Sequence, residues 1–244
     1  MHRPGEITYF ANIGEKGRCH SVNKPFSDER CGALLMEVGA VMALLPEPPA
    51  KVLECGCGTG WLTYFLSKRG YDATGVDISD DAVDLAKKNP MFAACPAPAF
   101  LRRDFDDLGF DCEFDAVVFF AALHHTLDEA ATLKSVYAAL RPGGKCIASE
   151  PGFGHAKRSR RTMEQHDVTD RDMPPGLVIR RGREVGFRKF QIHQHADQIY
   201  SVLYSRPSSP LRKALFRLWG IKYLALLFSM LFYKRFNGIV VMIK

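Results

Sequence analysis

The sequence lacks any apolar stretch long enough to cross a membrane. The longest such stretch, Tyr223–Tyr233, has 11 residues, whereas a membrane-spanning helix needs about 20. The first residues also lack the apolar core of a secretion signal, so we expect no signal peptide. With 47% hydrophobic and 25% charged residues, the 244-residue chain is typical of a cytoplasmic globular protein with one large domain.

The cysteines are too scattered for a disulfide framework. There are seven of them, an odd number, which favours reduced thiols in a cytoplasm. The pair Cys55 and Cys57 has no second Cys or His pair at ligand spacing, and we therefore predict no metal site. We interpret both residues as small apolar fillers beside a glycine-rich loop.

The C-terminal part of the chain is poor in acidic residues, and none follows Asp197. Residues 1–150 contain 15 Lys and Arg against 21 Asp and Glu, whereas residues 151–244 contain 18 against 6. The net charge of +6 therefore combines an acidic first part with a basic second part. This asymmetry indicates an anionic partner on the C-terminal side, or else simply a solvated basic face.

In the segment 51–60, an apolar strand pattern leads into three glycines at alternate positions, namely Gly56, Gly58 and Gly60. Glycines allow a tight turn and a close approach of a ligand to the backbone. The helix predicted to follow them offers free N–H groups at its first turn. The dinucleotide fingerprint would need a glycine where the sequence has Trp61, and Glu54 suits an ammonium or sulfonium group better than a pyrophosphate.

Two strand patterns follow the glycine loop, and polar residues stand at the end of each. The strand predicted over about 72–77 ends at Asp77, near the usual place of a residue that binds ribose hydroxyls. The apolar run 114–122 predicts a strand buried on both faces. His124 and His125 come directly after it, at the edge where open parallel sheets bind their ligands.

A fourth pattern, Leu140–Gly144, leads into a strand predicted at 145–149, and Glu150 follows that strand. With these four signatures in order, residues 51–151 resemble a class I S-adenosylmethionine-dependent methyltransferase. The resemblance implies S-adenosylmethionine as cofactor. It also implies an α/β fold, a Rossmann-like sheet of seven mostly parallel strands with an antiparallel last strand and helices on both faces. In this chain a helical insertion is expected between strands 6 and 7.

We expect a single methyltransferase domain with three parts. They are an N-terminal helical cap (1–50), a cofactor-binding core (51–151) and an acceptor side (152–244) with the insertion at about 195–236. Within the cap, Ser27 is the candidate N-cap of a helix that ends near Pro46. Between the core and a helix predicted at 177–185, the pattern indicates only basic clusters.

The resemblance implies roles for individual residues. The cofactor-binding set is Glu54, Gly56, Cys57, Gly58, Gly60, Asp77, Ile78, Asp104, Phe105, Ala121 and Leu123. Asp104 would bond the adenine amino group, and Phe105 would supply a backbone N–H. Because the N-terminal segment of such enzymes folds over the cofactor, Tyr9, His20 and Asn23 are candidates for the acceptor pocket; the alternative is surface packing.

Catalysis is predicted to depend mainly on positioning, since a sulfonium already carries a good leaving group. For a hydroxyl acceptor, His124 or His125 is the candidate base. Glu150 is a further candidate, as a base or as a ligand of the acceptor. Each of the three could instead have a structural role, and carboxyl, thiol or carbon acceptors would need no base.

The basic second part and the apolar segment 211–235 indicate a small-molecule, glycan or lipid-linked acceptor of anionic or amphiphilic character. The segment 211–235 is interpreted in three ways: as a pocket lid, wall or homodimer helix; as a helix in peripheral contact with an anionic membrane; or as a core helix. A nucleic-acid substrate is not favoured, because no Asn-Pro-Pro-Tyr-like motif follows strand 4. Two alternatives stay open, an RNA methyltransferase and a non-catalytic S-adenosylmethionine-binding partner protein.

Overall fold

The computed structural model describes residues 4–89, 97–204 and 220–244. Its strands are β1 (Lys51–Cys55), β2 (Asp72–Asp77), β3 (Ala99–Arg102), β4 (Phe114–Phe120), β5 (Leu140–Ser149), β6 (Lys189–Gln194) and β7 (Gly238–Ile243). They form one sheet in the order β3-β2-β1-β4-β5-β7-β6. The first five strands pair in parallel, and β7 pairs antiparallel with β5 and β6. The predicted fold class is thereby confirmed.

Helices cover both faces of the sheet. They are α1 (Pro4–Asn12), α2 (Gly14–Val22), α3 (Cys31–Leu44), α4 (Trp61–Arg69), α5 (Asp80–Lys87), α6 (Glu129–Ala139), α7 (His155–His166), α8 (Pro175–Val185), α9 (Ala196–Leu203) and α10 (Ile221–Phe236). A short 3-10 helix spans Leu123–His125. Helices α9 and α10 belong to the insertion between β6 and β7. The predicted loop at 91–99 and the first part of the segment 211–235 lie largely outside the described residues.

Two apolar clusters sandwich the sheet, because successive side chains of a strand point to opposite faces. Val52 of β1 belongs to the cluster that contains Leu62 of α4 and Val41 of α3. Its neighbour Leu53 belongs to the other cluster, together with Leu133 of α6. The central strands are therefore buried on both faces, and their ligand-binding chemistry is confined to their carboxyl edge.

Local signals account for where the helices near that edge begin and end. Ser79 is the N-cap of α5 and accepts a hydrogen bond from Ala82 N (3.3 Å). Asp128 caps α6 by accepting from the backbone N–H groups of Ala130 and Ala131. Gly70 ends α4 in the left-handed conformation, with φ of 102°.

The cap and the region after β5 differ from the sequence-based expectation. The helix α3 begins at Cys31, and Ser27 is not its N-cap; the Ser27 hydroxyl instead donates to the carbonyl of His20 (2.6 Å). The helix α7 was not predicted. It contains no buried residue, so its sequence has no apolar periodicity from which to infer a helix.

Among the helices of the described residues, none combines the length and apolar character that a membrane crossing requires.

We expect a side chain at Gly75 in β2 to destabilise the fold. A Cβ there would lie 2.6 Å from Thr63 Oγ1 and 2.9 Å from Cys57 Cβ. Gly75→Ala should therefore lower the free energy of unfolding by about 1–3 kcal/mol through overpacking. The measurement is a urea titration followed by circular dichroism.

Gly39 provides the matched control for this substitution. It is exposed in the interior of α3, and a Cβ there would have no heavy atom within 4 Å. Gly39→Ala should raise the free energy of unfolding by about 0.5–1 kcal/mol, because alanine is the better helix former. Equal effects at the two positions would contradict the packing argument.

Candidate active site

A cavity of about 400 Å³ lies at the carboxyl edge of β1, β2 and β4. The predicted site residues that line it are Tyr9, Glu54, Gly56, Cys57, Gly58, Asp77, Ile78, Phe105, Ala121, His124 and His125. The structure thus brings together most of the predicted cofactor site, both candidate histidines and one of the three acceptor-pocket candidates. The cap closes over this edge, because Phe10 of α1 and Ser21 of α2 also line the cavity.

The glycine loop leaves room at the cavity floor. Gly56 has φ of +76°, and a Cβ there would lie 2.5 Å from the Cβ of Ala122. Gly58 also has a positive φ, and its backbone N–H donates to Asp77 Oδ2 (2.9 Å). The loop is therefore held against the end of β2 by the same carboxylate that is predicted to bind ribose.

The buried carboxyl group of Glu54 and the half-buried one of Asp77 give the floor of the cavity an acidic character. Burial raises the pKa of Asp77, although hydrogen bonds from the Ser79 and Gly58 backbone counteract it. Burial likewise raises the pKa of Glu54 to about 8, against a hydrogen bond that the Thr63 hydroxyl donates to it. A cationic ligand would stabilise the ionised forms of both carboxylates.

The end of β4 is strained where it meets the cavity. Ala121 has φ of +51°, a conformation that costs a residue with a Cβ about 1–2 kcal/mol. Its N–H donates to the carbonyl of Ser149 (2.8 Å) in the neighbouring strand, which helps to hold it there. Strain of this kind concentrates at functional sites, and Ala121 lines the cavity.

Glu150 organises the turn that follows β4. Its Oε1 accepts from the backbone N–H groups of Ala122 (3.0 Å) and Leu123 (2.8 Å). Its Oε2 accepts from the ring Nδ1 of His124 (2.7 Å). Glu150 is itself buried and does not line the cavity, so its position indicates that it orients this turn rather than contacting a ligand.

His124 is held between two carboxylates. Its Nδ1 faces Glu150, and its Nε2 lies 2.9 Å from Asp170 Oδ1. Burial alone would lower the pKa of His124, but the hydrogen bonds to Asp170 and Glu150 outweigh it and raise the pKa from 6.5 to about 9. The ring is therefore protonated at neutral pH and cannot accept a proton from an acceptor.

His125 has one ring nitrogen that faces the cavity. Its Nδ1 donates to the carbonyl of Thr169 (2.6 Å), which fixes the proton on that nitrogen in the neutral ring. Among the described residues, Nε2 has no hydrogen-bond partner. Since the side chain is one-third exposed and lines the cavity, Nε2 is the nitrogen available to act as a base.

Sequence reasoning missed three residues that complete this wall. Asp170 accepts from both His124 and His155 (3.0 Å), and these bonds lower its pKa despite partial burial, which would raise it. Glu6 of α1 accepts from Thr169 N (2.6 Å). None of these residues stands in a recognisable motif, because they come from α1, α7 and the loop before α8.

The remaining predicted residues lie away from the cavity lining. Gly60 packs against Phe100, Asp104 accepts from Asp106 N (2.8 Å), and Leu123 is buried in the core. Asn23 is the exposed C-cap of α2, and the half-exposed ring of His20 lies 3.8 Å from Asp28. The roles proposed for these five stay predictions.

The donor atoms of His124, His125 and Asp170 lie within 4.8 Å of one another, a spacing that could hold a metal ion. However, both ring nitrogens of His124 already face carboxylates, at 2.7 Å and 2.9 Å, so a metal ion would have to displace a proton from a ring that is bonded on both sides. The hydrogen bonding therefore favours an ion-pair network over a metal centre.

His124→Ala should lower the free energy of unfolding by about 3–5 kcal/mol, because it leaves Glu150 and Asp170 without their buried cation. The folded-state pKa of His124 is raised, so its contribution is complete below about pH 6.5 and declines as pH rises to about 9. In urea titrations, the difference between wild type and variant should therefore shrink across this window. His20→Ala should change stability by less than about 0.5 kcal/mol, and a pH-independent difference for His124→Ala would contradict the ion-pair assignment.

Residues 52–144 match the family described as a methyltransferase domain. A ubiquinone biosynthesis O-methyltransferase of Coxiella burnetii is 33% identical over 99 residues, which are 40% of this chain and 42% of that protein. A malonyl-acyl-carrier-protein O-methyltransferase of Priestia megaterium is 31% identical over 105 residues, 42% of this chain and 37% of that protein. These matched segments span less than half the length of either relative.

The fold also resembles a solved structure over nearly the whole chain. Phosphoethanolamine N-methyltransferase 2 of Haemonchus contortus, in complex with S-adenosyl-L-methionine, superposes with a TM-score of 0.66 and 17% identity. The superposition covers 98% of this chain and 59% of that one. Together with the glycine loop and the strand order, these matches support a class I S-adenosylmethionine-dependent methyltransferase, with the methyltransferase domain matched over residues 52–144.

Proposed function

We propose that the protein is an enzyme that methylates a hydroxyl group of a small or lipid-linked acceptor, with S-adenosylmethionine as the methyl donor. The observation that carries the proposal is the meeting of two features in one cavity. One is the acidic floor formed by the glycine loop, Glu54 and Asp77, and the other is the free Nε2 of His125.

The cavity fits the chemistry of the cofactor. The glycines at its floor carry no Cβ, and a side chain at Gly56 would collide with Ala122. Four carboxyl groups line the cavity, and they belong to Glu6, Glu54, Asp77 and Asp170. They outnumber the cationic groups of the same lining, Lys24 and His124, and this balance suits a ligand with ammonium and sulfonium groups. When bound, S-adenosylmethionine supplies a methyl group attached to positively charged sulfur.

The residues of the floor would bind and orient the cofactor. Asp77 has two carboxylate oxygens at the end of β2, where it would accept hydrogen bonds from the ribose hydroxyls. Glu54 would face the cationic amino-acid portion, which would favour its ionised form. Because the pKa of Glu54 is raised to about 8 by burial, cofactor binding should be linked to proton release from this group.

His125 would remove the proton of an acceptor hydroxyl through Nε2, while the Thr169 carbonyl keeps the ring in the required tautomer. The protonated His124 beside it, with ring centroids 4.1 Å apart, would stabilise negative charge that develops on the acceptor oxygen. Two relatives are named as O-methyltransferases, which supports oxygen as the acceptor atom.

The N-terminal cap would exclude water from the reacting groups. Thr59 of the glycine loop donates to the carbonyl of Ser21 in α2 (2.7 Å). Phe10 of α1 lies next to Gly58, 3.4 Å from where a Cβ would stand. The cap therefore rests directly on the proposed cofactor site, and release of the product requires its movement.

Asp77→Asn should weaken binding of S-adenosylmethionine and S-adenosylhomocysteine by about tenfold to hundredfold, because charge-assisted hydrogen bonds are lost. Isothermal titration calorimetry measures both affinities. Asp72→Asn is the control, since Asp72 lies at the exposed start of the same strand. Equal affinities for the Asp77 variant and wild type would disprove the ribose assignment.

His125→Asn should lower turnover by about 10²- to 10⁴-fold at saturating S-adenosylmethionine, because the base is lost. The Asn amide can still donate to Thr169, so the affinity for the cofactor should be unchanged. The measurement is release of S-adenosylhomocysteine with a panel of anionic and amphiphilic hydroxyl compounds. His193→Asn is the control, since His193 of β6 does not line the cavity. Wild-type turnover in the His125 variant would exclude it as the base, and a wild type that binds the cofactor but methylates no hydroxyl would refute the acceptor class.

A further inference from the structure

Helix α10 presents its apolar side chains to solvent. Six large ones are more than half exposed, namely Tyr223, Leu224, Leu227, Phe228, Met230 and Leu231. No residue of α10 is buried. The apolar stripe of a surface helix normally faces the core, so this orientation is the reverse of the usual one.

Polar bonds on the opposite side of α10 fix that orientation. The hydroxyl of Ser229 donates to Gln198 Oε1 (2.9 Å) and accepts from Gln194 Nε2 (2.9 Å). One turn later, the hydroxyl of Tyr233 donates to the carbonyl of Ile192 in β6 (3.2 Å). A rotation that buried the apolar stripe would break all three hydrogen bonds.

The exposed side chains form one continuous patch. Leu224, Phe228 and Leu231 recur at helical spacing along one face of α10. The ring of Phe232 lies 4.4 Å from that of Phe228 between centroids, and the exposed Phe153 lies 5.9 Å from Phe236. A continuous exposed apolar patch marks an interaction site.

The charges around this patch are basic. Those of α10 are Lys222, Lys234 and Arg235. Those of α7 are the exposed Lys157, Arg158, Arg160 and Arg161, against a single acid, Glu164, which pairs with Arg160 (2.9 Å). The two helices adjoin, since Phe153 N, just before α7, donates to the carbonyl of Phe236 (3.2 Å). A second copy docked by a two-fold axis would bring these like charges together, whereas anionic lipid headgroups would neutralise them.

We propose that α10 docks on the surface of an anionic membrane, with its apolar stripe at the boundary between headgroups and acyl chains. The basic residues of α10 and α7 would contact the headgroups. With 16 residues, the helix lies along the surface rather than crossing it. Because α7 also lines the cavity through His155 and Thr162, the docking face adjoins the candidate active site. The proposal does not depend on methyl transfer.

Sedimentation of the full-length protein with vesicles tests the proposal directly. We expect binding to phosphatidylcholine vesicles that contain about 30% phosphatidylglycerol, and much weaker binding to phosphatidylcholine alone. Replacing both Lys234 and Arg235 by Gln should weaken binding by about fivefold per charge. Raising the salt concentration should weaken it further, since exposed charges are screened.

Two exposed phenylalanines provide a matched pair of variants. Phe228→Gln should weaken vesicle binding by about tenfold or more, because apolar burial in the membrane is lost. Phe26→Gln removes a ring of nearly the same exposure, 60% against 59%, from the connection between α2 and α3, which is not part of the patch, and should leave binding unchanged. Unaltered circular dichroism would show that both variants are folded.

Three outcomes would overturn the proposal. The first is a wild type that does not bind anionic vesicles. The second is equal binding by the Phe228 and Phe26 variants. The third is a dimer in analytical ultracentrifugation that Phe228→Gln dissociates while vesicle binding persists, because the patch would then be covered by a second copy. Calorimetry with S-adenosylhomocysteine measures cofactor binding and so tests the proposed function separately. None of these three outcomes would change its result.

Discussion

The carboxylate of Glu150 is the constraint on which the rest of the site depends. It stands at the end of β5 and accepts hydrogen bonds from the backbone of the turn after β4, at Ala122 and Leu123, and from the ring of His124. His124 in turn binds Asp170, so a single buried chain of bonds joins two strand ends to the segment that follows α7. Both ring nitrogens of His124 are bonded within this network. The neighbouring His125 uses only Nδ1, and its Nε2 has no hydrogen-bond partner among the described residues.

Acidic side chains line the cavity, whereas basic side chains dominate the exposed helices α7 and α10. The cavity is lined by carboxyl groups such as Glu54 and Asp77, which suit a cationic cofactor. The exposed helices α7 and α10 are basic, and α10 adds an apolar stripe. The acidic first part of the chain therefore supplies most of the cavity lining, and the basic second part supplies the exposed face of α7 and α10. The helix α7 contributes to both surfaces, since His155 lines the cavity.

Short-range patterns made most of the sheet and the cofactor site predictable. Gly56, Gly58 and Asp77 stand at the ends of consecutive strands, so the register of a parallel sheet brings them to one edge. The hydrogen bonds that give His124 and His125 different roles could not be predicted. Their partners, Asp170 and Thr169, are about 45 residues away in a segment without periodicity, and no local rule places them beside β4.

The resemblance to a methyltransferase, the mostly parallel sheet and the acidic character of the cofactor edge could be inferred from the sequence alone, because they follow from residues close together in the chain. Only the tertiary structure decided that the pKa of His124 is raised, since two carboxylates distant in the sequence outweigh the effect of burial. It also decided which way α10 faces. The apolar residues of that helix are evident in the sequence, but their exposure depends on Ser229 and Tyr233 bonding to β6 and α9.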